Sequence, residues 1–170
     1  MTTAASRTDQ PHRRRMTAPK YFNPFVRAML RSPFHGIFSR KLMLITVRGR
    51  KTGRPRTFPV GYVEEGDVLF VLVGDFETKT WWRNVAGGVP MQLILRGRTV
   101  EATGDVLRWE SDGEALTGAL VPYLKAFPGA RRALGITGRR DAPDSESIRA
   151  AAQRVVMVRA RLAPTKTTKG

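Results

Sequence analysis

Apolar positions in this chain fall in short runs separated by polar turns, too short and too closely spaced for a helical bundle. Residues 42–47 (LMLITV), 57–63 (TFPVGYV, broken by Pro59), 68–73 (VLFVLV), 91–95 (MQLIL), 99–107 (TVEATGDVL) and 155–162 (VVMVRARL) read as six strands. Arg96-Gly97-Arg98 supplies a glycine-centred hairpin turn between the fourth and fifth runs, and residues 64–67 turn the second into the third. Residues 79–86 (KTWWRNVA) predict a short helix before the fourth strand. The longest helix is expected over 111–127, opened by Ser111 as its cap and bent at Pro122. Between 23 and 43, Phe25, Met29 and Leu30, then Phe34, Ile37 and Phe38, recur at helical spacing among Arg27 and Arg31, with Pro33 interrupting. Two short basic amphipathic pieces are expected there, packed on the domain or resting on an anionic membrane surface. The sum is an α+β, mostly β chain: a small antiparallel barrel of about six strands with N-terminal and inserted helices.

Length and polarity set the domain limits. The chain has 170 residues, enough for one domain. Residues 1–20 are polar, basic and aperiodic, and are expected to be a disordered tail. A single domain is expected over 21–163, and 164–170 form a second tail. Met16 follows the arginine-rich stretch and is an alternative start.

Charge narrows the partners. The net charge is +16, and it is unevenly placed: residues 10–63 hold 13 Lys/Arg and no acid, whereas 64–170 hold 16 against 13. Such a field draws a polyanion, whether nucleic acid, an anionic membrane or a small ligand with several negative groups. Composition also removes classes of chemistry. There is no cysteine, and the two histidines, His12 and His35, leave no pair for a metal site or a Ser-His couple. No apolar run approaches the ~18 residues of a membrane span, and no secretory signal core is present, so a cytoplasmic protein is expected. No metal is expected, and hard chemistry, if any, falls to a bound cofactor.

Two stretches carry candidate chemistry. Residues 48–56 (RGRKTGRPR) join the first two strands with five cations and two glycines in nine residues. Glycines let the backbone turn tightly and expose its N–H groups, while arginine forks match phosphate or carboxylate oxygens. This is not a Walker A loop, since no Lys-Ser/Thr follows the second glycine; its bland counterpart is a solvated basic hairpin. Residues 80–85 (TWWRNV) place Trp81 and Trp82 side by side, with Asn84 three residues after the first. On a helix, neighbours point ~100° apart, so one indole anchors the segment and the other faces elsewhere, toward a loop or a ligand.

The order RGRKTGRPR, Pro59, a hairpin at Gly66-Asp67, TWWRN and a strand ending in Arg-Gly-Arg resembles the deazaflavin-dependent nitroreductase and quinone reductase family. The resemblance runs from about residue 23 to 162. It implies a split β-barrel fold and coenzyme F420, a deazaflavin ring carrying a phosphate and a tail of glutamates. By that resemblance Arg50, Lys51, Thr52, Arg54 and Arg56 grip the phosphate and acidic tail, and Pro59, Trp81, Trp82 and Asn84 border the cofactor. It implies hydride transfer from the reduced coenzyme to a quinone, an activated alkene or a nitroaromatic. Two departures bear on the acceptor. The loop after the third strand, 73–77 (VGDFE), lacks the serine of nitroimidazole-reducing members, and 126–131 (AFPGAR) lacks their tyrosines. The acceptor wall is then expected at Gly74, Phe127 and Ala130. No catalytic residue is assigned, and Tyr62 and Tyr123 are the candidate proton donors. The rival classes are a basic nucleic-acid module and an F420-binding protein without catalysis.

Overall fold

The computed structural model describes residues 41–164. Both expected tails, apart from Pro164, and all but the last three residues of the amphipathic 23–43 segment lie outside the described residues. Seven strands, three α-helices and a 3-10 turn follow in chain order: β1 (Leu42–Arg48), β2 (Pro55–Gly61), β3 (Val63–Glu65), β4 (Val68–Val73), the turn Trp81–Asn84, β5 (Val89–Leu95), β6 (Arg98–Leu107), α1 (Trp109–Ala126), α2 (Pro128–Leu134), α3 (Ser145–Ala152) and β7 (Val156–Leu162).

The strands form one antiparallel sheet in the order β2-β1-β5-β6-β7-β4-β3. Its two edge strands, β2 and β3, are separated in the chain by Tyr62 alone. A flat sheet would put those edges far apart, so the sheet must curl until they meet, and β2 lies against β4. The outcome is the expected barrel, open as a half-barrel. Its strand count is seven, not six, because the run 57–63 is two strands. Tyr62 breaks it by turning inward, buried, with its N–H donated to the Lys41 carbonyl at 2.9 Å.

Alternation along the strands makes two cores, one on each face of the sheet. Leu69, Val71 and Val73 of β4 and Val156, Val158 and Ala160 of β7 face the barrel interior with Met43, Ile45 and Leu93. Phe70, Leu72 and Met157, at the intervening positions, face outward and meet Leu116, Leu120 and Leu124 of α1 and Ile148 of α3. Burying one such aliphatic side chain contributes about 1.5–3 kcal/mol, so α1 and α3 are held by this second face.

The helices depart from the sequence reading at their ends. The long helix starts at Trp109, with Arg108 as an N-cap that makes no side-chain bond; Ser111 lies inside, its hydroxyl on the Asp112 carboxylate at 2.6 Å. The break in helical dihedrals falls at Asp112 (φ −135°, ψ 31°), not at Pro122. The segment 79–86 is a four-residue 3-10 turn instead of an α-helix.

Candidate functional site

The register Arg48↔Pro55 closes the β1–β2 hairpin around residues 49–54. Gly49 donates to the Arg54 carbonyl at 3.0 Å, Gly53 donates to the Gly49 carbonyl at 2.7 Å, and Arg48 Nη1 reaches the Gly53 carbonyl at 3.2 Å. Gly53 takes a left-handed φ of 63°, which most side chains resist. Thr52 has an architectural role: its Oγ1 accepts the Arg54 N–H at 3.4 Å, and a Cβ on Gly49 would stand 2.8 Å from that oxygen. Arg50, Lys51, Arg54 and Arg56 are all exposed, and among the described residues none pairs with a carboxylate.

A second element fixes this loop from the side. Asn84, in the 3-10 turn, accepts the Arg50 N–H through Oδ1 at 3.1 Å. The turn itself is anchored by Trp82, buried in the barrel core with Nε1–H donated to the Phe76 carbonyl at 2.9 Å. Val85 seats against Gly104 of β6. Trp81 points elsewhere, half-buried, with its ring edge-on to Phe58 of β2 at 5.0 Å and 66°. The two indoles therefore divide as their adjacency required. Pro59, next along β2, is half-buried opposite Leu44 of β1.

The structure does not gather Gly74, Phe127 and Ala130 into one wall. Val73 pairs with Val156 at the end of the sheet that also carries Leu107, and through β6 and β5 this is the end of the β1–β2 loop. Gly74 thus follows β4 beside the basic loop, exposed. Phe127 sits at the opposite end, where α1 finishes: its ring stacks on Tyr123 at 4.5 Å and covers Gly61, the last residue of β2. Lys41 Nζ donates to the Ala126 carbonyl at 2.6 Å and holds that corner. Ala130 packs into the second core. Ala130 stays with Phe127, donating its N–H to the Phe127 carbonyl at 2.9 Å, and the length of β4 and α1 keeps Gly74 apart from both.

Both candidate tyrosines remain protonated. Burial pushes Tyr123 up to about 12. Burial also raises Tyr62, with the positive Arg96 nearby working against it and Glu64 adding to it; among the described residues its buried hydroxyl has no hydrogen-bond partner.

One feature had no sequence signal beyond a lone cation in TWWRN. A groove of about 470 Å³ opens beside the loop, lined by Arg50, Phe76, Glu77, Trp82, Arg83, Ala86 and Arg108. Arg108 reaches it from the end of β6, 25 residues after Arg83, a proximity that only the fold creates.

The unpaired cations and exposed loop fit a ligand with several negative groups, and Trp81, Phe58 and Pro59 offer apolar surface beside them. Fold and site together define a split-barrel protein with an exposed cationic loop beside an apolar, partly aromatic surface. Residues 29–120 match the model of the F420H(2)-dependent quinone reductase family, and the chain belongs to that family. It is an F420H2-dependent reductase, an oxidoreductase that works with coenzyme F420. Among solved structures, it is similar to the F420-H2 dependent reductase FDR-A, with 17% identity, 72% of this chain and 95% of that chain covered, and a TM-score of 0.51. A second structure, described as a domain-swapped dimer, shares 17% identity over 72% of this chain and 81% of its own, also with a TM-score of 0.51. These are likenesses of fold. No curated protein matches the chain. Among the described residues, no helix is long and apolar enough to cross a membrane.

Proposed function

We propose that the loop between β1 and β2 holds the acidic end of reduced coenzyme F420, and that the acceptor is a flat, apolar quinone. When bound, the reduced deazaflavin supplies a hydride, which with one proton converts a quinone to its hydroquinone. The chain's own residues bind and orient. Arg50, Lys51, Arg54 and Arg56 would hold the phosphate and carboxylates, since charge-assisted bonds to such groups contribute about 1.5–3 kcal/mol each. Thr52 shapes the loop and Asn84 fixes its position, so both act through the backbone. Trp82 anchors the turn, leaving Trp81 and Pro59 to border the ring.

The acceptor end is supported by the apolar corner at Phe127 and Gly61, at the far end of β2 from the loop. That corner offers an aromatic face, and its nearby hydroxyl, on Tyr123, keeps its proton in the physiological range. A wall with few hydrogen-bond donors discriminates weakly, by ~1–3 kcal/mol per missing group, which favours broad quinone reduction over nitroimidazoles. The reading carries a cytoplasmic location, with peripheral contact to anionic lipid through residues 23–43 as a separate clause; sedimentation with anionic vesicles at low salt tests that clause.

The observation that carries the proposal is the set of exposed cations, without acidic partners among the described residues, on a loop braced by Asn84. Its test follows oxidation of the reduced coenzyme with menadione and with a nitroimidazole, side by side at one pH. Faster turnover of menadione is expected; faster turnover of the nitroimidazole would overturn the assignment of the wall.

A further inference from the structure

We infer that the Lys41 ammonium serves the acceptor: it offsets the negative charge that hydride transfer leaves on a quinone oxygen and gives that oxygen the proton that completes the hydroquinone. The inference rests on the proposal that the acceptor lies against the Phe127 corner, and it adds the charged group that acts there.

Three observations carry it. First, the backbone fixes Lys41 at that corner. Leu42, the next residue, pairs with Gly61, and the Lys41 carbonyl accepts the Tyr62 N–H at 2.9 Å. Second, the side chain turns to the aromatic wall. Its Nζ lies 5.7 Å from the centre of the Phe127 ring and donates to the Ala126 carbonyl at 2.6 Å. A lysine ammonium has three N–H donors, so that bond orients the group and leaves two donors for an acceptor oxygen. Among the described residues no carboxylate pairs with Lys41.

Third, the corner would resist an anion without this cation. Ala126 is the last residue of α1, and the carbonyls at a helix C-terminus carry partial negative charge. The Tyr123 hydroxyl, pushed up to about 12 by burial, keeps its proton and does not fill the role. Hydride transfer adds two electrons and one hydrogen to the quinone and leaves one negative charge on oxygen. Lys41 gives that oxygen its proton and, being exposed, regains one from water.

The test compares wild type with Lys41→Gln, Lys41→Arg and Phe127→Leu. It measures the single-turnover rate of coenzyme oxidation at saturating menadione, the menadione KM, and the coenzyme dissociation constant. Glutamine keeps an N–H donor for the Ala126 carbonyl without the charge, and arginine keeps the charge. Lys41→Gln should slow the single turnover at least about tenfold, with the coenzyme dissociation constant and the melting temperature unchanged. Lys41→Arg should recover part of that rate, since it offsets the charge and leaves the proton to water. Phe127→Leu, which removes the aromatic face, should raise the menadione KM more than it slows the turnover. A wild-type rate in Lys41→Gln beside a raised KM in Phe127→Leu overturns the inference and leaves the acceptor corner standing. Equal slowing in Lys41→Gln and Lys41→Arg also overturns it, since charge would then play no part. Wild-type rate and KM in both Lys41→Gln and Phe127→Leu overturn the inference and the acceptor corner together.

Discussion

The side-chain oxygen of Asn84 accepts the backbone N–H of Arg50 at 3.1 Å, joining two segments that lie 34 residues apart in the chain. The bond explains why an uncharged residue belongs to a cationic site. A loop of exposed cations repels itself and has no core contacts of its own. Fastened to a turn that is itself pinned through buried Trp82, it presents those charges in one arrangement, which lowers the entropy lost when a ligand binds.

Replacing Asn84 tests this. Asn84→Ala removes the acceptor from an exposed amide, so global stability should fall by no more than about 0.5–1.5 kcal/mol. Cofactor affinity should weaken severalfold, although no positive charge is lost. Asn84→Asp keeps the acceptor but adds a negative charge. It should melt near wild type and yet bind the coenzyme poorly, with the deficit shrinking as salt rises. Equal affinity in all three proteins would show that the loop needs no fastening.

The seat of the turn gives a second prediction. A Cβ at Gly104 would collide with the Val85 side chain and stand 2.8 Å from Met91. Met91 can yield, but branched Val85 cannot without moving the turn. Gly104→Ala should therefore cost about 1–3 kcal/mol in denaturant unfolding and weaken coenzyme binding as well. Gly118, on the exposed side of α1 with open space around it, is the control. Gly118→Ala should be neutral or stabilising by up to about 1 kcal/mol.

Stability at high pH follows from Tyr123. Its ordinary value is 10.0 and burial raises it to about 12, so the folded state favours the neutral phenol. That contribution is fully present below pH 10, where both states hold the proton. It is lost as the pH rises from about 10 to about 12, because the unfolded chain ionises first. The two-unit shift corresponds to roughly 2–3 kcal/mol. Tyr123→Phe should flatten the fall in unfolding free energy across that window; an unchanged slope would show that the hydroxyl is not desolvated.

Much of this was legible in the sequence. Short apolar runs and the Arg96-Gly97-Arg98 turn gave the strands, since period-two burial leaves a direct trace. The basic loop was legible because five cations in nine residues have no core role. Tyr62 was the exception in the strand pattern: an aromatic inside an apolar run looks like strand, and the turn it makes depends on the Lys41 carbonyl meeting its N–H. Ser111 resembled a cap, but a helical turn already begins at Trp109, which packs against the second core, and the break in helical dihedrals falls one residue after Ser111, at Asp112. Gly74 lies away from Phe127 and Ala130 because of long-range geometry, which no local pattern encodes. That Arg108 lines the groove beside the loop was invisible for the same reason.

The central claim, that the exposed cations between β1 and β2 hold the coenzyme, is tested most directly by an equilibrium titration of Lys51→Ala/Arg54→Ala with coenzyme F420, beside wild type. Both side chains are exposed and, among the described residues, neither pairs with a carboxylate, so the melting temperature should not change. Losing two charge-assisted contacts of about 1.5–3 kcal/mol each should raise the dissociation constant by at least about a hundredfold. A dissociation constant equal to that of wild type would contradict the account.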